Sequence, residues 1–169
     1  MIGAARHLIA ARRGDWRFVF VGSGVDRRAL LSEAGDLVSA GVVAFPEPGI
    51  EIMQIVRGAD VGLLVTDPAI LAEGCSNSIM EYMACSLPVV ASDSGGNREL
   101  VRDGVTGFIV PPRDSRALAS RLDLLRRDPG LCAQLGAAGR ERVETEFTLE
   151  RMVAEYVSAY AHVVAERRR

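Results

Sequence analysis

The sequence contains no lysine, because all 20 of its basic residues are arginine. This absence excludes every mechanism that needs a lysine in this chain, including phosphate binding by a Walker-type lysine. The 22 acidic residues leave a net charge of −2, which gives no indication of bulk nucleic-acid binding. No apolar run approaches the roughly 18 residues of a membrane-spanning helix. The amino-terminal residues also lack the layout of a signal peptide.

Cysteine and histidine are also scarce, with three and two residues. The cysteines, Cys75, Cys85 and Cys132, are odd in number and lack metal-ligand spacing, so we expect reduced thiols in a cytoplasmic protein. His7 and His162 lie near opposite ends of the chain, and no zinc site follows from them. Association with a membrane surface stays open.

Short apolar segments alternate with helical patterns along the chain, which indicates a parallel sheet with helices on both faces. The predicted strands are 17–22, 42–45, 61–65, 88–92 and 106–110. The predicted helices are 2–13, 26–39, 50–59, 77–85, 97–102, 115–127, 130–145 and 148–165. We therefore expect one domain over residues 1–169, with a doubly wound, Rossmann-like α/β fold. Ligands of such folds bind at the carboxyl ends of the strands.

Residues 73–96, EGCSNSIMEYMACSLPVVASDSGG, carry the strongest functional signal. They are typical of a polar loop, a short helix, a buried strand that follows a proline, and a loop with two glycines. The start of a helix offers free N–H groups and the positive end of its dipole, which suits a phosphate. Glu73 and Glu81, with seven residues between them, lie on either side of this start and suit sugar hydroxyls. The pattern predicts a site for a nucleotide or a nucleotide-sugar.

Each of these residues also has a structural interpretation. Ser78 and Glu81 have the spacing of a capping box, and Ser76 or Asn77 could be a helix N-cap. Glu73 could be a solvated loop acid. The glycine pairs, Gly22 with Gly24 and Gly95 with Gly96, are first of all turns. Cys75 has no histidine near it in the sequence, so a loop position is favoured over a nucleophile.

The segment EGCSNSIMEYMACSLPVVASDSGGNRELVRDGVTGFIV resembles the signature region of family 4 of the retaining glycosyltransferases. DWRFVFVGSG is similar to the second strand and glycine turn of that family's donor-binding domain, and FTLERMVAEYVSAY to its closing helix. The resemblance covers nearly the whole chain. It implies the carboxyl-terminal half of a GT-B fold, in which two Rossmann-like domains face each other.

Roles for individual residues follow from this resemblance. It implies a catalytic Glu73 against the donor sugar, Glu81 at the ribose hydroxyls, and Gly22 and Gly24 at the border of the nucleotide. The pyrophosphate would lie on the loop formed by Gly74, Cys75, Ser76, Asn77 and Ser78. The substrate would be a UDP-, GDP- or similar nucleotide-sugar, and neither a cofactor nor a metal is expected. The implied reaction is retaining transfer of a hexose to an acceptor.

Some features of the family lie outside this sequence. Its usual first strand, the arginine and lysine of the following loop, and its amino-terminal acceptor domain have no counterpart here. We therefore expect little transferase activity from the chain alone and an acceptor domain on another chain. The strand at 17–22 would have an exposed edge, which favours a homodimer through that edge. The alternative is a non-catalytic nucleotide-binding or interaction module, a degenerate fragment on the same scaffold.

Overall fold

Helices and short parallel strands alternate in a computed structural model of the chain, which describes residues 1–12, 15–47, 51–69 and 74–167. The strands are β1 (Phe18–Val19), β2 (Val43–Ala44), β3 (Gly62–Leu64), β4 (Val89–Ser92) and β5 (Gly107–Val110). The helices are α1 (Ile2–Ala10), α2 (Arg27–Glu33), α3 (Gly35–Ser39), α4 (Ile52–Arg57), α5 (Asn77–Ala84), α6 (Asn97–Leu100), α7 (Ser115–Arg127), α8 (Pro129–Glu146) and α9 (Leu149–Glu166).

Several predicted elements are longer than the observed ones, and two of them differ most. The strand predicted at 17–22 pairs only over Phe18–Val19. The helix predicted at 26–39 is two helices, α2 and α3, which meet at Ala34. Gly35 begins α3, and glycine in a helix interior costs about 1 kcal/mol relative to alanine, which explains a break at this position.

The strands form two parallel sheets, one with the order β1-β2 and one with the order β3-β4-β5. Phe18 lies opposite Val43 in the first sheet. Val90 lies opposite Leu63 and Phe108 in the second. Because all pairs are parallel, the carboxyl ends of the strands in each sheet lie at one edge, and ligands of doubly wound folds bind there.

Helices cover both faces of the larger sheet, which confirms the doubly wound prediction. All four residues of β4 are buried, as expected for a strand with helices on both faces. Val90 belongs to an apolar cluster with residues of α1 and α7. Its neighbours Val89 and Ala91 point to the other face and pack with residues of α5 and α6.

The helix α5, which carries the candidate site, is held against the sheet by close contacts. Ile79 and Met83 of α5 are fully buried. The Tyr82 ring lies over β3, where a Cβ at Gly62 would come within 2.4 Å of it. On the far side, a Cβ at Gly136 of α8 would lie 2.0 Å from the Ser86 carbonyl oxygen. These glycines let neighbouring elements approach α5 and the turn after it, which fixes the position of the helix.

Candidate functional site

The amino end of α5 presents backbone N–H groups without acceptors. Ser76 is the N-cap residue, with an extended backbone (φ −82°, ψ 116°), and its side chain makes no capping hydrogen bond. The first intrahelical bond runs from the Met80 N–H to the Ser76 carbonyl at 3.4 Å. Among the described residues, the N–H groups of Asn77, Ser78 and Ile79 therefore have no hydrogen-bond acceptor. Such a helix start can bind an anion.

The capping-box interpretation of Ser78 and Glu81 is wrong. The N-cap is Ser76, so the third helical residue is Ile79, and Glu81 lies too far along α5 to complete the motif. The Glu81 side chain is exposed, and within the described part of the chain it makes no hydrogen bond or ion pair. Burial raises the pKa of the neighbouring Tyr82 phenol, and the Glu81 carboxylate raises that pKa further. Glu81 thus lies one turn inside the helix with its carboxylate available to a ligand.

The loop that follows β4 packs against the loop that precedes α5. Gly95 has a positive φ of 52°, so the prediction of a glycine turn is confirmed. A Cβ on Gly96 would lie 2.3 Å from the carbonyl oxygen of Gly74, a contact that only glycine allows. Gly96 thus lies against the backbone of Gly74. This contact brings together the two loops that the sequence pattern assigns to one site.

Two polar side chains in this second loop are buried beside the contact. Ser94 is 4% exposed and Asn97 is fully buried. The Asn97 side chain donates from Nδ2 to the Ser92 carbonyl at 3.0 Å. Within the described residues, Ser94 Oγ and Asn97 Oδ1 have no partner. Asn97 ties the loop to the end of β4, and the unpaired oxygens leave this part of the site polar.

A serine hydroxyl extends the pairing of β3 with β4 beyond the strands. Ser92 Oγ accepts the Thr66 N–H at 3.0 Å and donates to the Thr66 carbonyl at 2.9 Å. Ser92 is 1% exposed and Thr66 is half-buried, so both bonds are partly shielded from water. They fix the residue at which the long loop toward α5 begins.

Acid–arginine pairs lie on the same edge of the larger sheet. Asp67, after β3, accepts from Arg113 Nε at 2.6 Å, and Asp93, after β4, accepts from Arg98 at 2.6 and 2.7 Å. These hydrogen bonds lower the pKa of both carboxyl groups. The pairs are at the surface, where solvent screening leaves such interactions little effect on stability. Their role here is to orient the loops.

Arg27 is a residue that sequence reasoning missed. Its guanidinium donates to the carbonyls of Phe45 and Pro46 at 3.3 and 3.2 Å and reaches the Gly22 carbonyl at 3.5 Å. It also lies 5.8 Å from the centre of the Phe45 ring. Arg27 therefore joins the loop after β1 to the loop after β2. The sequence feature that could have identified Arg27 is its place in the first turn of a helix that follows a glycine turn.

The predicted site residues divide into three groups. The structure brings Gly74 against the second glycine loop and places Cys75, Ser76, Asn77, Ser78 and Glu81 at the start of α5. Gly22 and Gly24 lie in the turn after β1, and no described hydrogen bond joins them to α5. Glu73 lies outside the described residues.

Over the described ranges, no cluster of three metal-binding side chains occurs, and no helix is long and apolar enough to cross a membrane.

Fold and site together define a class: a doubly wound α/β protein in which a helix with open N–H groups begins at the carboxyl edge of the sheet. The model of the family described as glycosyl transferases group 1 matches residues 1–128. The chain therefore belongs to this family, and the resemblance inferred from the sequence is confirmed.

Relatives and solved structures agree with this assignment. The chain is 32% identical over 157 residues to the putative glycosyltransferase EpsD of Bacillus subtilis, covering 93% of this chain and 40% of EpsD. Sucrose-phosphate synthase from Thermosynechococcus elongatus superimposes with a TM-score of 0.76 at 28% identity, covering 98% of this chain and 42% of that chain. HepE from Anabaena, solved with UDP, gives 0.76 at 24% identity, covering 91% and 44%. The chain thus spans less than half the length of these proteins.

Proposed function

We propose that the chain is the nucleotide-sugar-binding domain of a retaining hexosyltransferase. The observation that carries this proposal is the set of N–H groups at Asn77, Ser78 and Ile79, which have no acceptor in the described structure. A diphosphate would accept from these groups and would lie at the positive end of the α5 dipole. The Anabaena HepE structures with UDP and with UDP-glucose support a nucleotide-sugar as the ligand class.

The remaining predicted residues take roles around this diphosphate. Gly74, Cys75 and Ser76 would shape the loop that surrounds it. Glu81, whose carboxylate has no described partner, would accept hydrogen bonds from the ribose hydroxyls. Gly22 and Gly24 would border the nucleotide, in the turn that Arg27 holds. Glu73 remains the proposed catalytic residue at the donor sugar.

The proposed chemistry uses electrostatic stabilisation and needs no metal. The bond between the anomeric carbon and the diphosphate oxygen breaks, and the leaving diphosphate takes the electron pair. A hydroxyl of the acceptor forms the new bond to the same face of that carbon and gives its proton to the leaving diphosphate oxygen. The open N–H groups would stabilise the charge that develops on the leaving group. The acceptor would be held by a domain outside residues 1–169, so the isolated chain would show negligible transfer.

Titration calorimetry with UDP and GDP tests donor binding. We expect micromolar to low-millimolar affinity for at least one of them. The Glu81→Gln variant should bind about 10- to 100-fold more weakly, because a hydrogen bond to a charged group contributes about 1.5–3 kcal/mol. Glu141→Gln on α8 is the matched control, since Glu141 is also an exposed helical acid.

Three results would contradict the proposal. If neither nucleotide binds, the non-catalytic module that shares this scaffold is favoured instead. If Glu81→Gln and Glu141→Gln bind equally well, the assignment of Glu81 to the ribose is wrong. If the purified chain alone turns over a radiolabelled nucleotide-sugar, the need for a separate acceptor domain is wrong.

A further inference from the structure

Arg27, the first residue of α2, joins two loops at the carboxyl edge of the smaller sheet. Its Nη2 donates to the carbonyls of Phe45 and Pro46 at 3.3 and 3.2 Å, and its Nη1 reaches the Gly22 carbonyl at 3.5 Å. Gly22 lies in the turn after β1, whereas Phe45 and Pro46 follow β2. One guanidinium therefore fixes the distance between the two loops.

The positive charge of Arg27 has no carboxylate to balance it in the described part of the chain. Two other arginines, Arg98 and Arg113, form ion pairs with Asp93 and Asp67 at the edge of the larger sheet. No described ion pair involves Arg27, although its side chain is half-buried. Carbonyl oxygens carry partial negative charge and repel each other where they converge. The arrangement of the three carbonyls thus depends on the cation between them.

Two phenylalanines form an apolar wall beside this cation. Phe20, after β1, and Phe45, after β2, stack with their ring centres 4.9 Å apart. The Arg27 guanidinium lies 5.8 Å from the centre of the Phe45 ring, within the range of a cation–π interaction. Both phenylalanines are half-buried, so part of this wall is accessible. Arg27 therefore holds a ring of the wall as well as the two loops.

The space in front of the turn after β1 is open. A Cβ on Gly22 or on Gly24 would have no described atom within 4 Å. Gly22 has a φ of 148°, a conformation that other residues rarely adopt, so the turn keeps this space free of a side chain. The nucleoside is the flat and partly apolar half of a nucleotide-sugar. An aromatic wall beside an open turn suits this half better than it suits a diphosphate.

We propose that Arg27 is a positioning residue for the nucleoside half of the donor. It sets the spacing of the loops after β1 and β2, and this spacing determines how tightly the nucleoside binds. The inference rests on the proposed function, in which the nucleotide lies beside Gly22 and Gly24 and its diphosphate lies at the start of α5. Arg27 leaves diphosphate binding unchanged, because no described hydrogen bond joins its side chain to α5.

Titration calorimetry with UDP and with pyrophosphate separates the two halves of the ligand, with GDP in place of UDP if the parent chain prefers it. Arg27→Gln should bind the nucleotide about tenfold more weakly, because the two loops lose their common charged donor. It should bind pyrophosphate within about twofold of the parent chain, because the start of α5 is unchanged. Arg28→Gln is the matched control, since Arg28 is the next residue of α2 and is exposed. It should leave both affinities unchanged.

Arg27→Lys tests whether the spacing of the loops or the charge alone is decisive. Lysine keeps the positive charge but lacks the planar fork that reaches two loops at once. We therefore expect Arg27→Lys to bind the nucleotide about threefold or more weakly than the parent chain. If it binds as tightly as the parent chain, charge alone sets the affinity and the proposal is wrong.

Amide hydrogen exchange of the parent chain tests the same point without a substitution. UDP should slow exchange at residues 20–26 and 44–47 about threefold or more, whereas pyrophosphate should slow it only near the start of α5. If UDP leaves both loops unprotected, the proposal is overturned. This result would be decisive even if the variants of Arg27 failed to fold.

The outcomes distinguish this inference from the proposed function. If the parent chain binds neither UDP nor GDP, the proposed function fails and this inference fails with it. If the parent chain binds a nucleotide and Arg27→Gln binds it as tightly as Arg28→Gln does, only the positioning role fails. Equal weakening of nucleotide and pyrophosphate binding in Arg27→Gln also overturns the positioning role, because Arg27 would then act on the diphosphate or on the whole fold.

Discussion

Replacement of Gly96 by alanine isolates one contact at the candidate site. Gly96 has φ −79° and ψ 7°, a conformation that any residue can adopt, so alanine at this position causes no backbone strain. The obstacle is the Gly74 carbonyl oxygen, which would lie 2.3 Å from the new Cβ. The substitution therefore tests how closely the two loops must approach.

The expected cost follows from that distance. To bring the contact to the shortest separation that real Cβ atoms show, the Gly74 carbonyl must retreat by about 0.7 Å, and such overpacking costs about 1–3 kcal/mol. For a chain of this size, each kcal/mol lowers Tm by about 2–4 °C. Because Gly74 belongs to the loop that leads into α5, we expect nucleotide affinity to fall as well.

Thermal unfolding and titration with UDP measure the two effects separately. Gly35→Ala is the matched control, since a Cβ there has no atom within 4 Å and φ is not positive. It should leave Tm unchanged or raise it, because alanine favours helix. An unchanged Tm and an unchanged UDP affinity in Gly96→Ala would refute the close packing of the two loops. A lower Tm with unchanged affinity would show that the Gly74 loop takes no part in binding.

Two further predictions concern the loops at this edge. Ser92→Ala should lower the free energy of unfolding by about 1–3 kcal/mol, because it leaves the backbone of the half-buried Thr66 without its two hydrogen bonds to Ser92. The substitution Ser39→Ala at an exposed position should change it by about 0.5 kcal/mol or less, and thermal or urea unfolding of both variants decides the point. The hydrogen bond from Arg113 lowers the pKa of Asp67, so this pair stabilises the fold above the unfolded pKa of about 3.9 and loses that effect as pH falls through the lower folded value. In both Asp67→Asn and Arg113→Gln, Tm should therefore fall less steeply below pH 4 than in the parent chain. If Tm falls as steeply in either variant as in the parent chain, this account is wrong.

The order of elements could be predicted from the sequence because each carries its own periodicity. The helix at 115–127 was predicted with the bounds that the structure gives, since Asp114 caps it and its apolar residues recur at helical spacing. β4 was predicted within one residue, because a buried apolar run follows Pro88. The short pairing of β1 could not be predicted, because strand length depends on neighbours that local sequence does not encode.

The candidate site could be predicted only in part, and for a similar reason. Residues 74–81 were recognisable because loop and helix start are contiguous in sequence. The contact between Gly96 and Gly74 depends on two loops meeting in space, and the glycine spacing alone predicted only a turn. Arg27 binds carbonyls 18 and 19 residues away, a relation that no local pattern contains. Long-range polar contacts of this kind follow from the fold and are visible only once it is known.

The N-cap of α5 shows why local rules fail at this position. Serine is among the preferred N-cap residues, and a capping side chain contributes about 0.5–2 kcal/mol. Ser76 holds the N-cap position, is 5% exposed, and makes no capping hydrogen bond. The helices α7, α8 and α9 each begin with a side chain that does accept from the first turn. Six of the nine described helices, α5 among them, begin without such a cap, so the open start points to a site only together with the contact between Gly96 and Gly74 beside it. An anion bound to the open N–H groups would supply the missing acceptors and would stabilise the folded chain on binding.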